Sequence, residues 1–151
     1  MTISAELLGA WSERLCRLAA GGGAADAVAA LGLAGSLVQR FGHAALEPPP
    51  PGLAELRLVE RDGDGGGGVS YLDLDLARDG PTPTRAELDA RFGEGHELPR
   101  IHPFTPFPVA YHVEVPGAPF TCEVIARFDD EPAGDAVAGR VVLRRDRAWP
   151  R

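Results

Sequence analysis

The chain contains no lysine and no asparagine, and Gln39 is its single glutamine. All 15 basic residues are arginines. These absences exclude chemistry. A Walker phosphate loop requires its lysine, and Schiff-base catalysis requires an amine nucleophile. N-linked glycosylation requires asparagine. The only serines are Ser4, Ser12, Ser36 and Ser70, and none lies in the GxSxG setting of a hydrolase nucleophile. Cys16 and Cys122 are the only cysteines, too far apart for a CxxC pair or a zinc pattern. Each lies in an apolar pattern, so two buried free thiols and a reducing, cytoplasmic setting are expected. No long hydrophobic run occurs. Glu6 and Glu13 interrupt the first twenty residues, which also lack a basic start, so neither a signal peptide nor a membrane span is expected there.

The chain is instead rich in alanine, glycine, proline and arginine, the usage of a GC-rich, bacterial-type genome. Its 151 residues suggest one domain, and 44% hydrophobic with 25% charged residues is ordinary for a folded globular chain. The acidic net charge of −7 argues against a nucleic-acid partner and against an anionic membrane surface, because both need clustered cations.

Leu7, Trp11, Leu15 and Leu18 recur on one helical face, which predicts a helix over residues 5–20, capped by Ser4 and ended by Gly21, Gly22 and Gly23. A second helix is expected over 24–31, closed at Gly32. "AGSLVQRFG" fits either a helical turn or a short strand. Four consecutive prolines at 48–51 break regular structure. The chain therefore divides into a helical part, 1–46, a proline-rich spacer, 47–52, and a sheet-rich part, 53–147, of one domain, 1–151. In the last part "ELRLVER" and "VSYLDLDLA" alternate at the strand period and form a hairpin around the glycine-rich "DGDGGGG". Thr84 and Glu87 make a capping box for a short helix that Gly93 stops. From Val109 onward three segments alternate again. Val109, Tyr111, Val113, Phe120, Cys122 and Val124 take one face. The expected fold is α+β: N-terminal helices on one face of a mainly antiparallel sheet of about five strands, with one short helix between hairpin and meander. The other face would carry Asp73, Asp75, His112, Glu114, Glu123 and Arg127.

The capped helix "TRAELDARFG", ending in phenylalanine-glycine and followed by meander strands, resembles one repeat of the superfamily that holds β-lactamase inhibitor proteins and the SmpA/OmlA outer-membrane lipoproteins. The resemblance covers about half the chain. It implies a sheet that binds another protein rather than an enzyme.

The residues carry few constellations. His96, His102 and His112 match no metal-ligand spacing, so no metal or other cofactor is expected. Asp73 and Asp75 share one strand face, as paired acid–base groups would, or as a solvated face would. "PRIHPFTPFPVAYHVEV", residues 99–115, places His102, Phe104 and Phe107 among four prolines ahead of His112. Prolines exclude helix there, and an extended, stiff segment offering aromatic anchors suits a protein interface. The leading reading is a protein-binding module, acting as an inhibitor, immunity or accessory factor through His102, Phe104, Phe107 and His112. The second is a small enzyme or ligand-binding domain using Asp73, His112 and Glu114.

Overall fold

The computed structural model describes residues 2–61, 68–103 and 105–147. Phe104 and most of the glycine-rich loop lie outside them. Three helices and eight strands follow in the order α1 (Ala5–Arg17), α2 (Ala24–Ala30), β1 (Ser36–Arg40), β2 (His43–Glu47), β3 (Leu53–Glu60), β4 (Val69–Leu76), α3 (Arg85–Phe92), β5 (His96–Glu97), β6 (Phe107–Val113), β7 (Phe120–Phe128) and β8 (Ala138–Arg147). All eight strands form one antiparallel sheet in the order β1-β2-β3-β4-β8-β7-β6-β5. The chain thus runs through helix and four-strand meander twice. The two halves join along their last strands, so the order reads the same from either edge when the halves are exchanged.

The α+β class and the antiparallel sheet agree with the alternation, but the sheet has eight strands rather than about five. The additional strands are short. β1 is the ambiguous "SLVQR", and β2, "HAALE", is made of good helix formers. Pairing with β1 and β3 overrides that propensity. Both strands precede the prolines, so residues 1–46 are not a helical part. The proline run connects β2 to β3 instead of separating helices from sheet. Residues 101–103 and 105 are bends and turns, not part of the continuous extended segment expected, and Phe104 lies outside the described residues. Pro108 lies inside β6, opposite Arg127, and its carbonyl accepts from the N–H of Leu98 at 2.9 Å. A proline is tolerated there because β6 is bordered on that side only by the two-residue β5.

The helices all pack on one face. Ser4 caps α1, accepting from the N–H of Leu7, and the helix buries Leu8, Trp11, Leu15 and Cys16. These meet Leu56, Leu58, Leu72, Leu74, Val124, Val141 and Leu143 in the main core. The predicted capping box of α3 is present, and its Leu88 is fully buried. Gly68 is required where β4 begins, since a Cβ there would lie 1.9 Å from the carbonyl oxygen of Ala20.

Two groups fasten the end of α1. Cys16 and Cys122 are joined as a disulfide, with Cα atoms 6.1 Å apart, so the expectation of free thiols is corrected. Helical and strand periods each place a cysteine inward; α1 lying along β7 brings the two together. The thiol argument for a reducing cytoplasm falls with it, since such bonds persist mainly in oxidising compartments. Among the described residues, no helix is long and apolar enough to cross a membrane.

The second fastening is Arg145 on β8, fully buried although charged. Its guanidinium donates to the carbonyls of Leu15, Leu18 and Ala19, at 3.4, 2.6 and 3.2 Å, and to that of Val69 at 2.7 Å. Its carbon lies 4.2 Å from the centre of the Phe120 ring. Among the described residues it has no carboxylate partner. The carbonyls at the negative dipole end of α1 stand in for one. Burial, with Arg61 nearby, lowers its pKa to about 10.

Two predictions follow from these fastenings. Arg145→Ala removes four hydrogen bonds from the end of α1 and the start of β4, empties a fully buried site, and is expected to destabilise the fold by about 3 kcal/mol, read from the urea midpoint. Cys122→Ser is expected to cost about 4 kcal/mol, because the bond closes a 106-residue separation in the unfolded chain. Unreduced protein should take up no iodoacetamide; alkylation without prior reduction would refute the bond.

Candidate functional site

The helices leave the opposite face of the sheet uncovered. Cross-strand register arranges it in rows. One row runs Arg57, Asp73, Val142, Ile125, Ala110 across β3, β4, β8, β7 and β6. A second runs Val59, Tyr71, Arg144, Glu123, His112, and a third Glu55, Asp75, Arg140, Arg127, Pro108. The middle of this open face is apolar, with Val142, Ile125 and Ala110 side by side. Val142 is only 7% exposed although no helix covers it. Charged residues surround that centre.

Most of these charges are matched within the face. Arg57 binds Glu55 with both arms of its fork, at 2.8 and 2.9 Å, and this holds the Glu55 carboxyl below its usual pKa. Arg144 pairs with Asp146 at 2.7 Å. Arg140 lies 3.3 Å from Asp73 and 3.9 Å from Asp75. The Asp73–Arg140 contact is Coulombic, because the buried Oδ1 of Asp73 has no aligned hydrogen bond. The carboxylates expected on this face, Asp73, Asp75 and Glu123, and Arg127 are therefore all here, and Asp73 and Asp75 serve as counterions of Arg140.

The other candidate residues are dispersed. His112 is exposed near the β6 edge, with Glu114 3.9 Å away. Three strand spacings separate His112 from Asp73, about 14 Å. Asp73, His112 and Glu114 therefore do not converge on one reacting atom. Phe107 begins β6, half-buried against the core, and the Arg100 guanidinium covers its ring at 3.8 Å. His102 is exposed in a turn, where its carbonyl accepts from the Thr105 hydroxyl at 2.6 Å. Phe104 lies outside the described residues. The three histidines do not assemble: among the described residues, no group of three or more His, Cys, Asp or Glu side chains is placed to hold a metal ion.

An open cleft of about 490 Å³ lies at the β5–β6 edge, lined by Leu98, Arg100, Phe107, Glu131 and Pro132. A network behind it fixes its walls. Arg85 of α3 donates to Asp89 at 2.9 Å, to the Pro132 carbonyl at 3.0 Å and to Glu97 of β5 at 3.3 Å. Asp89 also accepts from the Tyr111 hydroxyl at 2.7 Å and the Gly95 N–H at 3.3 Å. Gly95 passes so close to Tyr111 that a Cβ would lie 2.8 Å from the ring. Burial pushes the Tyr111 hydroxyl pKa up, and the adjacent carboxylate adds to the effect. Both carboxylates of this network, Asp89 and Glu97, are held by Arg85, so its groups are committed to one another.

No protein-family model matches this chain, and no curated protein or solved structure matches it.

The network yields an acid-sensitivity prediction. Burial raises the Asp89 carboxyl, but the hydrogen bonds from Tyr111, Arg85 and Gly95 outweigh it and hold the folded pKa below 3.8. A carboxyl depressed in the folded state adds stability that is fully present above its unfolded pKa and is lost as pH falls through the folded value. Asp89→Asn should therefore lower stability at pH 7 and flatten the acid limb of the stability–pH curve. Parallel curves for wild type and variant would refute this role.

Proposed function

We propose that the chain is a protein-binding module that docks a partner on the open face of its sheet, as an inhibitor, immunity or accessory factor does. The single observation that carries this reading is the row Val142, Ile125 and Ala110, apolar and free of covering helices, at the centre of a face whose rim is charged. Interfaces combine such a desolvating centre with a polar rim. A strand-built surface is also rigid before binding, so little ordering entropy is lost on docking.

The resemblance of the stretch from Thr84 onward to one repeat of the β-lactamase-inhibitor and SmpA/OmlA superfamily implies the same kind of role, a sheet that binds protein. The aromatic segment contributes differently from the first expectation. Phe107 is partly packed inward beneath Arg100, so this segment is a flank of the docking face rather than its anchor. The enzyme reading is less favoured, because His112 and Asp73 stand on strands too far apart to share a substrate atom.

The test compares partner capture by affinity pull-down for three proteins of equal melting temperature. Ile125→Arg places a charge in the apolar row and is expected to reduce capture about tenfold or more. Glu13→Arg, on the exposed side of α1, is expected to leave it unchanged. Equal capture by wild type and Ile125→Arg would refute docking on this face.

A further inference from the structure

We propose that the cleft at the β4–β8–β7 end of the open face is a carboxylate pocket that seats one acidic side chain of the partner. The inference rests on the docking reading above and names the chemistry that the partner presents. The cleft has a volume of about 320 Å³, and Asp75, Arg78, Arg127, Asp129 and Arg140 line it, with Pro106 and Gly139 between them.

Arg127 stands directly opposite Arg140 in the β7–β8 register. Like charges in that position repel one another, so each needs an anion nearby. Arg140 has one, since Asp73 and Asp75 lie 3.3 and 3.9 Å from it on β4. Arg127 has none: among the described residues no carboxylate lies within ion-pair distance of its guanidinium, and the same is true of Arg78. Arg127 is nonetheless partly buried, projecting from a central strand that cannot move away from its neighbour. Elsewhere on this face the arginines are matched internally: Arg57 by Glu55 and Arg144 by Asp146. Two unmatched guanidinium groups converging on one cleft are the exception.

The unpartnered groups select the ligand. Asp73 and Asp75 are both taken up by Arg140, and the guanidinium groups of this cleft left without a carboxylate among the described residues are those of Arg127 and Arg78. A carboxylate carries one negative charge and two oxygens in the plane that a guanidinium fork matches. A dianionic phosphate would bring a second charge against Asp75 and Asp129. The Asp129 carboxylate lies over Gly139, with an oxygen 3.4 Å from where a Cβ would stand, and is the repelling charge that an inserted anion meets. The pocket lies beside Ile125 and Val142, and a partner residue reaching it would place its neighbours on the apolar row.

The test is an NMR titration of the oxidised full chain, following arginine Nε–H resonances, with N-acetyl-aspartate amide as probe and inorganic phosphate as the competing arm. The aspartate probe is expected to give saturable shifts at Arg127 and Arg140. Arg127→Gln, with its melting temperature unchanged, should weaken the probe about tenfold. Asp129→Asn removes a repelling charge and should tighten it about twofold to fivefold. Absence of saturable shifts, shifts unaltered by Arg127→Gln, or tighter binding of phosphate than of the aspartate probe would overturn the pocket. Partner capture separates this inference from the docking reading. Loss of capture in both Arg127→Gln and Ile125→Arg supports the seated side chain. Loss in Ile125→Arg alone overturns it and leaves the docking face standing. Loss in neither overturns both.

Discussion

Arg145 is a permanent cation enclosed by protein, and the fold is arranged so that backbone carbonyls rather than a carboxylate answer it. A buried charge costs several kcal/mol unless its surroundings supply compensating dipoles. Here the supply is the C-terminal end of α1, where the carbonyls of Leu15, Leu18 and Ala19 turn toward the guanidinium. One arginine is thereby compensated for its desolvation and at the same time holds the end of the helix in place. Because its fourth contact is the Val69 carbonyl at the start of β4, the same group also ties helix to the seam between the two halves of the sheet. The disulfide from Cys16 to Cys122 runs alongside and fixes α1 to β7. Together they determine which face of the sheet is covered.

Once α1 is held there, the other face is left to solvent, and its composition becomes a functional statement. A sheet face that merely met water would be polar throughout, yet its centre is Val142, Ile125 and Ala110. The charges around them are mostly paired with one another, which lowers their appetite for a ligand. On the docking reading proposed above, the stiff apolar centre and the few unmatched charges are the parts that meet a partner surface.

Much of the fold was legible in the sequence. The alternation from Val109 onward gave β6, β7 and β8 with their inward residues, and Thr84 with Glu87 marked the start of α3. What escaped was set by tertiary context. "HAALE" has helix-forming residues and becomes β2 only because β1 and β3 flank it. The disulfide joined two positions that periodicity correctly faced inward, but no local pattern says which strand a helix lies on. Arg145 did leave a signal: in "GRVVLRR" it follows Val141 and Leu143 at the strand period, so an arginine was aimed at the core. For the candidate site, alternation identified the polar residues of the open face. It could not show that Arg127 would stand beside Arg140 or that Asp73 and His112 would be three strands apart, because register between strands distant in sequence is a property of the assembled sheet.

The strand order carries one more consequence. β8 is last of the strands along the chain, yet it occupies the interior of the sheet between β4 and β7. As a nascent polypeptide emerges, the two meanders can pair internally, but each ends in a bare edge of unpaired amides until β8 arrives. Such edges are templates for pairing with other chains. The same late strand brings Arg145, so the clamp on α1 also waits for it. Assembly therefore has the character of a keystone: the halves stay separate until β8 arrives, and its insertion closes the sheet, seats the helix and retires both edges together.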